Sequence, residues 1–137
     1  MMKARPYSSI ISRLRKSGLR PTRQRIGLSE LLFEGGNKHV TAEGLFSQAT
    51  ERSLKVSLAT VYNTLHDFTR VGLLREVGID SSVRYFDTNV TEHQHLYFED
   101  SDKLLDIDPD ENIICKRPSF SGGKVVRRID VVVRVAG

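Results

Sequence analysis

A chain of 137 residues with 39% hydrophobic and 28% charged side chains is sized for one ordinary domain or two small ones that share support. No apolar run approaches the roughly 20 residues of a membrane span, and the opening MMKARPYSSIISRL lacks the apolar stretch of a signal peptide, so a cytoplasmic protein without a membrane partner is expected. The single cysteine, Cys115, excludes an internal disulfide and paired thiolates for zinc, and any metal must be held mainly by His and carboxylate.

The formal net charge of +4 conceals an asymmetry. Residues 1–86 carry 14 Lys/Arg against 7 Asp/Glu, whereas residues 87–137 carry 7 against 10. A basic front half suits a polyanion and an acidic rear half suits cations, although charges of either sign also simply solvate helix faces.

In chain order, residues 7–17 (YSSIISRLRKS) have the pattern of a short helix closed by Gly18. In the following LRPTRQR, Pro21 makes a turn and Thr22 caps a second helix, whose buried side is Ile26, Leu28, Leu31 and Leu32 before Gly35-Gly36 stops it. Three arginines therefore cluster at one helix start. Thr41 is the N-cap of a third helix running to about Glu51 and burying Leu45 and Phe46; Gly44 stands where a capping box would place an acid.

The fourth helix, SLATVYNTLHDF, carries Leu58, Val61, Leu65 and Phe68 at three- and four-residue spacing, and Gly72 ends it. Its other face shows Ser57, Thr60, Tyr62, Asn63 and His66. LLREVGI and VRYFDT then alternate as two strands around a turn near Asp80-Ser81-Ser82. Helices followed by such a hairpin make a winged helix-turn-helix. The helix before the wing is the one that enters a major groove, and this makes Ser57, Thr60, Tyr62 and Asn63 candidates for contacts to double-stranded operator DNA.

From Asp87 the pattern changes. HLYFE and KLLDID read as strands around Asp100-Ser101-Asp102, Ser119–Gly123 as a loop, and Lys124–Val135 as a long β-branched strand. In that last strand Ile129, Val131, Val133 and Val135 alternate with Arg128, Asp130, Val132 and Arg134. A three-stranded sheet with one apolar face is too small to stand alone, so a homodimer is expected. The fold class is α+β: a winged helix-turn-helix DNA-binding domain over residues 1–87, then a small α/β dimerisation and sensing domain over residues 88–137.

On a strand, His93 and His95 project to the same side, where they can grip one ion or reach a haem iron; chance surface histidines are the bland alternative. Glu92, Glu99 and Asp106 lie close by in sequence or across the turn. His66 takes no ligand role.

The ordered motifs LRPTRQR, HVTAEGLF, SLATVYNTLHDFTRVGLL and HQH resemble the ferric uptake regulator family over nearly the whole chain. The closing RIDVVVRV and the lack of a Cys-x-x-Cys pair look more like its iron response regulator branch, the haem-responsive members of rhizobia and their relatives. The resemblance implies a dimeric transcription factor in which Tyr62 contacts bases and Arg20 and Arg25 lie near phosphates. It also implies a hinge site for divalent Zn, Fe or Mn drawn from His39, Asp87, His95 and Asp106, with His93 beside them, and haem as an effector at His93 and His95. Gln94 stands where the family's second site takes an acid, and Phe98 and Ser101 stand where its structural zinc site takes cysteines. An enzyme is not indicated: His-Glu-x-x-His, Gly-x-Ser-x-Gly and phosphate-binding glycine loops are all missing. The other readings are a winged-helix protein-interaction module with a structural metal, or a regulator sensing another divalent metal or peroxide.

Overall fold

The computed structural model describes residues 8–80, 83–114 and 116–137, and the chain divides after Val90 into two compact units. Within the first unit, α1 (Ser8–Lys16), α2 (Arg23–Phe33), α3 (Ala42–Glu51) and α4 (Leu58–Arg70) surround one core, and β1 (His39–Val40), β2 (Arg75–Gly78) and β3 (Arg84–Asp87) form a sheet in the order β1-β3-β2. Of the first predicted helix, Tyr7 lies outside the described residues, as do Ser81 and Ser82 of the hairpin turn.

Hydroxyl side chains start three of the helices. Thr22 Oγ1 accepts from the Arg25 amide at 3.2 Å, Thr41 Oγ1 from Gly44 at 3.1 Å and Ser57 Oγ from Thr60 at 3.0 Å. Each satisfies an amide that the helix itself leaves without a partner, and removing such a cap typically costs about 1 kcal/mol. At the other end of α4, Gly72 takes φ +83° and lets the Leu73 amide reach back to the Phe68 carbonyl at 2.8 Å.

Leu28 and Leu32 of α2, Leu45 of α3, and Val61, Leu65 and Phe68 of α4 are all wholly buried, and Phe33 stacks on Phe68 with ring centroids 6.4 Å apart. The segment after α3 comes close to α2 where α2 offers no side chain: a Cβ on Gly27 would come within 2.8 Å of both Leu54 methyl groups. Strand β1, only two residues long, escaped the sequence reading because so short a piece shows no alternation. It pairs antiparallel with β3, bringing His39 opposite Asp87.

The second unit is a sheet in the order β5-β4-β6, made of β4 (His95–Phe98), β5 (Lys103–Asp106) and β6 (Val132–Val135). β4 and β5 form the predicted hairpin, turning through Asp102 at φ +51°. A single 3-10 turn, Pro109–Glu111, follows and had no sequence signal. The expected strand over Lys124–Val135 is corrected: only Val132–Val135 is strand. Its partner β4, to which it runs parallel, offers four residues, and the ladder is bounded by His95 N to Val131 O at 3.1 Å and Glu99 N to Val135 O at 2.9 Å. A β-branched run without backbone to pair with stays irregular. Ile129, Val131, Val133 and Val135 are half-buried, while Arg128, Asp130 and Arg134 are exposed; Val132, read as outward, is half-buried too. No helix among the described residues is long and apolar enough to cross a membrane.

Because Leu65 has no exposed surface, Leu65→Ala should lower the unfolding free energy by about 2–5 kcal/mol. Urea denaturation followed by circular dichroism measures this, and a loss under about 1 kcal/mol would mean that the α4 stripe is not core.

Candidate nucleic-acid interface and metal centre

Burial of Val61, Leu65 and Phe68 turns the opposite face of α4 outward, where Tyr62, Asn63 and His66 are exposed. His66 packs edge-on against Phe86 at 5.8 Å between ring centroids. Ser57 and Thr60, expected among the outward contacts, are engaged locally: besides capping the helix, Ser57 Oγ lies 2.9 Å from Thr60 Oγ1. Tyr62 and Asn63 remain as the outward polar groups of the first two turns.

Tyr62 is itself held. Its hydroxyl donates to Glu43 Oε1, on the first turn of α3, at 2.5 Å. That hydrogen bond is the main cause of two opposed shifts: the Glu43 carboxyl is held below its ordinary range, and the Tyr62 phenol is raised above its own. Glu43 favours the bond when ionised, so its contribution is present above the ordinary carboxylate range and lost as pH falls through the lowered value. Tyr62 favours it when neutral, and that contribution is lost as pH rises through the raised value. The pair is intact across neutral pH. Sequence reasoning missed Glu43, for nothing local connects position 43 with position 62.

The arginines at the start of α2 divide into two kinds. Arg25 is half-buried; its Nη1 donates to the Arg20 carbonyl at 2.9 Å and its Nη2 to Asp67 Oδ2 at 3.2 Å. It fastens the turn before α2 to the second half of α4. Arg20 and Arg23 are exposed and make no ion pair among the described residues. Arg23, not singled out in the sequence, belongs to the same LRPTRQR.

Each unit also presents a His-Asp pair across two neighbouring antiparallel strands. In the first, His39 on β1 faces Asp87 on β3, with Nε2 and Oδ2 3.1 Å apart, and Asp87 Oδ1 accepts from the Asn89 amide at 2.9 Å. In the second, His95 on β4 faces Asp106 on β5. The Nε2 atoms of His95 and His93 converge on the same oxygen, Asp106 Oδ1, at 3.5 and 3.2 Å, with the two rings 4.4 Å apart between centroids.

The donor chemistry of these pairs fits a small cation. His93 Nδ1 lies 2.6 Å from the Thr91 carbonyl, which can only accept, so Nδ1 carries the proton and Nε2 points its lone pair toward Asp106. A lone pair facing a carboxylate oxygen requires a second proton or a cation between them. Donors at 2.0–2.1 Å from a tetrahedral ion stand about 3.3 Å from one another, the spacing found in both units. The carbonyl behind His93 is the kind of outer partner that orients a metal-bound imidazole. Gln94, between the two histidines, is committed elsewhere: its amide donates to the Ile113 carbonyl at 2.8 Å and accepts from the Ile113 amide at 2.7 Å, clamping backbone.

The ferric uptake regulator family model matches residues 16–127. The chain belongs to that family. Among curated members it is 32% identical over 96 residues to the peroxide-responsive repressor PerR of Staphylococcus epidermidis, covering 70% of this chain and 63% of that one. It is likewise 32% identical over 98 residues to the ferric uptake regulation protein of Escherichia coli K12, covering 71% and 66%. The matched region thus spans slightly under two thirds of those relatives. The fold is that of the Pseudomonas aeruginosa ferric uptake regulator solved with manganese, at a TM-score of 0.70 and 23% identity over 92% of this chain and 96% of that one. The Vibrio cholerae regulator gives 0.71 and 18% over 93% and 99%. Among the described residues, four helices with two small sheets are the α+β class of this family.

If Glu43 holds the Tyr62 proton, Glu43→Ala should move one tyrosine ionisation down toward the ordinary phenol range. The ultraviolet titration difference between each protein and its Tyr62→Phe counterpart isolates that residue. An unchanged difference curve would show that the bond does not form in solution.

Proposed function

We propose that this chain is a metal-responsive transcriptional regulator of iron homeostasis genes, acting as a homodimer that reads operator DNA through the outward face of α4. Tyr62 and Asn63 supply base contacts, and Arg20 and Arg23 supply phosphate contacts that position the helix without reading sequence. The observation that carries the metal half of this reading is the convergence of His93 and His95 on one oxygen of Asp106.

In this proposal a divalent ion takes its ligands from the set that the resemblance implies, His39, Asp87, His93, His95 and Asp106. When bound, the ion supplies a positive charge that several neutral imidazoles and carboxylates can share. The chain's own residues do the rest: His39 and Asp87 would hold β1 to β3, whose Phe86 packs against His66 of α4, and His93, His95 and Asp106 would hold β4 to β5. Holding β3 against α4 limits the orientations open to that helix, and the entropy lost in presenting it to a duplex is then lost at metal binding instead. Metal should therefore strengthen operator binding.

The same geometry bears on haem. Two Nε2 atoms aimed at one carboxylate oxygen suit a small ion shared between them, whereas a haem iron needs an open face and an axial approach. This favours a divalent ion as effector over haem at His93 and His95, and leaves the iron response regulator branch resting on the sequence resemblance alone. Dimerisation is supported by the half-buried Ile129, Val131, Val133 and Val135, and by the exposed Ile113, Ile114, Phe120 and Val125, an apolar surface large for so small a unit.

A duplex selected from a random pool by the zinc- or manganese-loaded protein provides the test. Chelation should weaken binding to it by about 5- to 150-fold, the usual range of coupling between two sites. His95→Ala should abolish that metal response while retaining the salt-dependent binding to unrelated duplexes. Equal affinity with and without metal would contradict the regulatory half of the reading, and a flat salt dependence would contradict the DNA-binding half.

A further inference from the structure

The hydrogen bond between Tyr62 and Glu43 bears on which bases α4 reads. A tyrosine hydroxyl has one proton to donate and two lone pairs that accept, so alone it meets base amino groups and base carbonyls equally well. Here the proton is already placed, at 2.5 Å from a carboxylate oxygen. We propose that Glu43 makes Tyr62 an obligate acceptor in the major groove, so that this residue selects a base presenting an exocyclic amino group, adenine N6 or cytosine N4, over one presenting a carbonyl. The proposal rests on the reading of α4 as the base-contacting helix.

Three features hold the arrangement in place. The backbone that carries Glu43 is fixed, because α3 is anchored by the buried Ala42, Leu45 and Ala49. Its carboxylate lies in the first turn of that helix, where the backbone dipole favours negative charge. The lowered Glu43 and raised Tyr62 ionisations keep the carboxylate charged and the phenol neutral across neutral pH. A hydrogen bond with a charged acceptor is about twice as strong as a neutral one. Turning the hydroxyl toward a base carbonyl would exchange it for a weaker bond and leave a carboxylate facing DNA without its donor, a cost of the kind that makes unpaired polar groups discriminate. The carboxylate itself reinforces the choice, since its negative potential repels base acceptors such as guanine O6 and thymine O4 and attracts the amino groups of adenine and cytosine. Glu43 is thus a specificity-determining residue acting through Tyr62, by fixing a proton.

Single-atom changes in the DNA separate this from a merely structural role. In the selected duplex, each adenine is replaced in turn by purine and each cytosine by pyrimidin-2-one, removing only the amino group, and affinity is measured for the metal-loaded full-length protein. At one position per half-site the parent should lose about tenfold, within the range for a good base contact. Tyr62→Phe should show no loss at that position, and Glu43→Ala should show a reduced one, with new tolerance for a carbonyl base there. Circular dichroism checks that both variants fold. No amino-dependent position in the parent, or an identical profile for Glu43→Ala, would overturn the proposal. Tyr62→Ala distinguishes the two levels: loss of discrimination in that variant with a failed analogue test removes the acceptor proposal alone, whereas an unchanged specific-to-nonspecific ratio removes the recognition-helix reading and the proposal with it.

Discussion

Val61, Leu65 and Phe68 lie along one side of a single helix with no surface left to solvent, and the candidate interface depends on their burial. Each contributes about 1.5–3 kcal/mol when fully withdrawn from water, several times what a surface contact on the opposite face contributes. The core therefore sets the rotation of α4. Tyr62 follows Val61 by one residue, a turn of about 100°, and can only face outward. The packing of α3 against α4 through Leu45 and Ala49 then brings Glu43 alongside the Tyr62 hydroxyl. What α4 presents to a partner is thus a consequence of what it hides, and Arg25, bridging Arg20 and Asp67, fastens the outer turn to the same helix.

Strand register plays the same part for the candidate metal ligands. His39 stands opposite Asp87, and His95 opposite Asp106, because β1 pairs with β3 and β4 with β5 in one alignment. A slip of one residue would send each aspartate to the other face of its sheet. His93 lies in the irregular segment just before β4, and the other four candidate ligands need no loop to position them. Their backbone is held by ladders, and Gln94 adds a side-chain clamp on Ile113 that keeps the segment between the two histidines in place. An acid at that position would lose the donor half of this clamp, which gives a physical reason for an amide there.

The helices and both hairpins were legible because their signals are local: hydroxyl caps at Thr22, Thr41 and Ser57, apolar spacing along α4, and alternation in REVG and RYFD. The family was legible from ordered motifs. The length of β6 was not, since β-branched composition from Lys124 onward says nothing of how much partner strand exists. Nor was the division of labour among Arg20, Arg23 and Arg25, which depends on Asp67 forty-two residues further on. For the same reason Glu43 went unseen. Contacts between distant segments carry the specific chemistry of this surface, whereas one chain read in order displays only near neighbours.

If the ligand set and the reading helix belong to one coupled system, the coupling must run both ways. Titration calorimetry of the divalent ion into the protein, with and without saturating selected duplex, measures this directly. The account predicts that the ion binds more tightly on the DNA complex, by the same factor of about 5 to 150 by which it strengthens DNA binding; identical metal affinity for free and DNA-bound protein would contradict it.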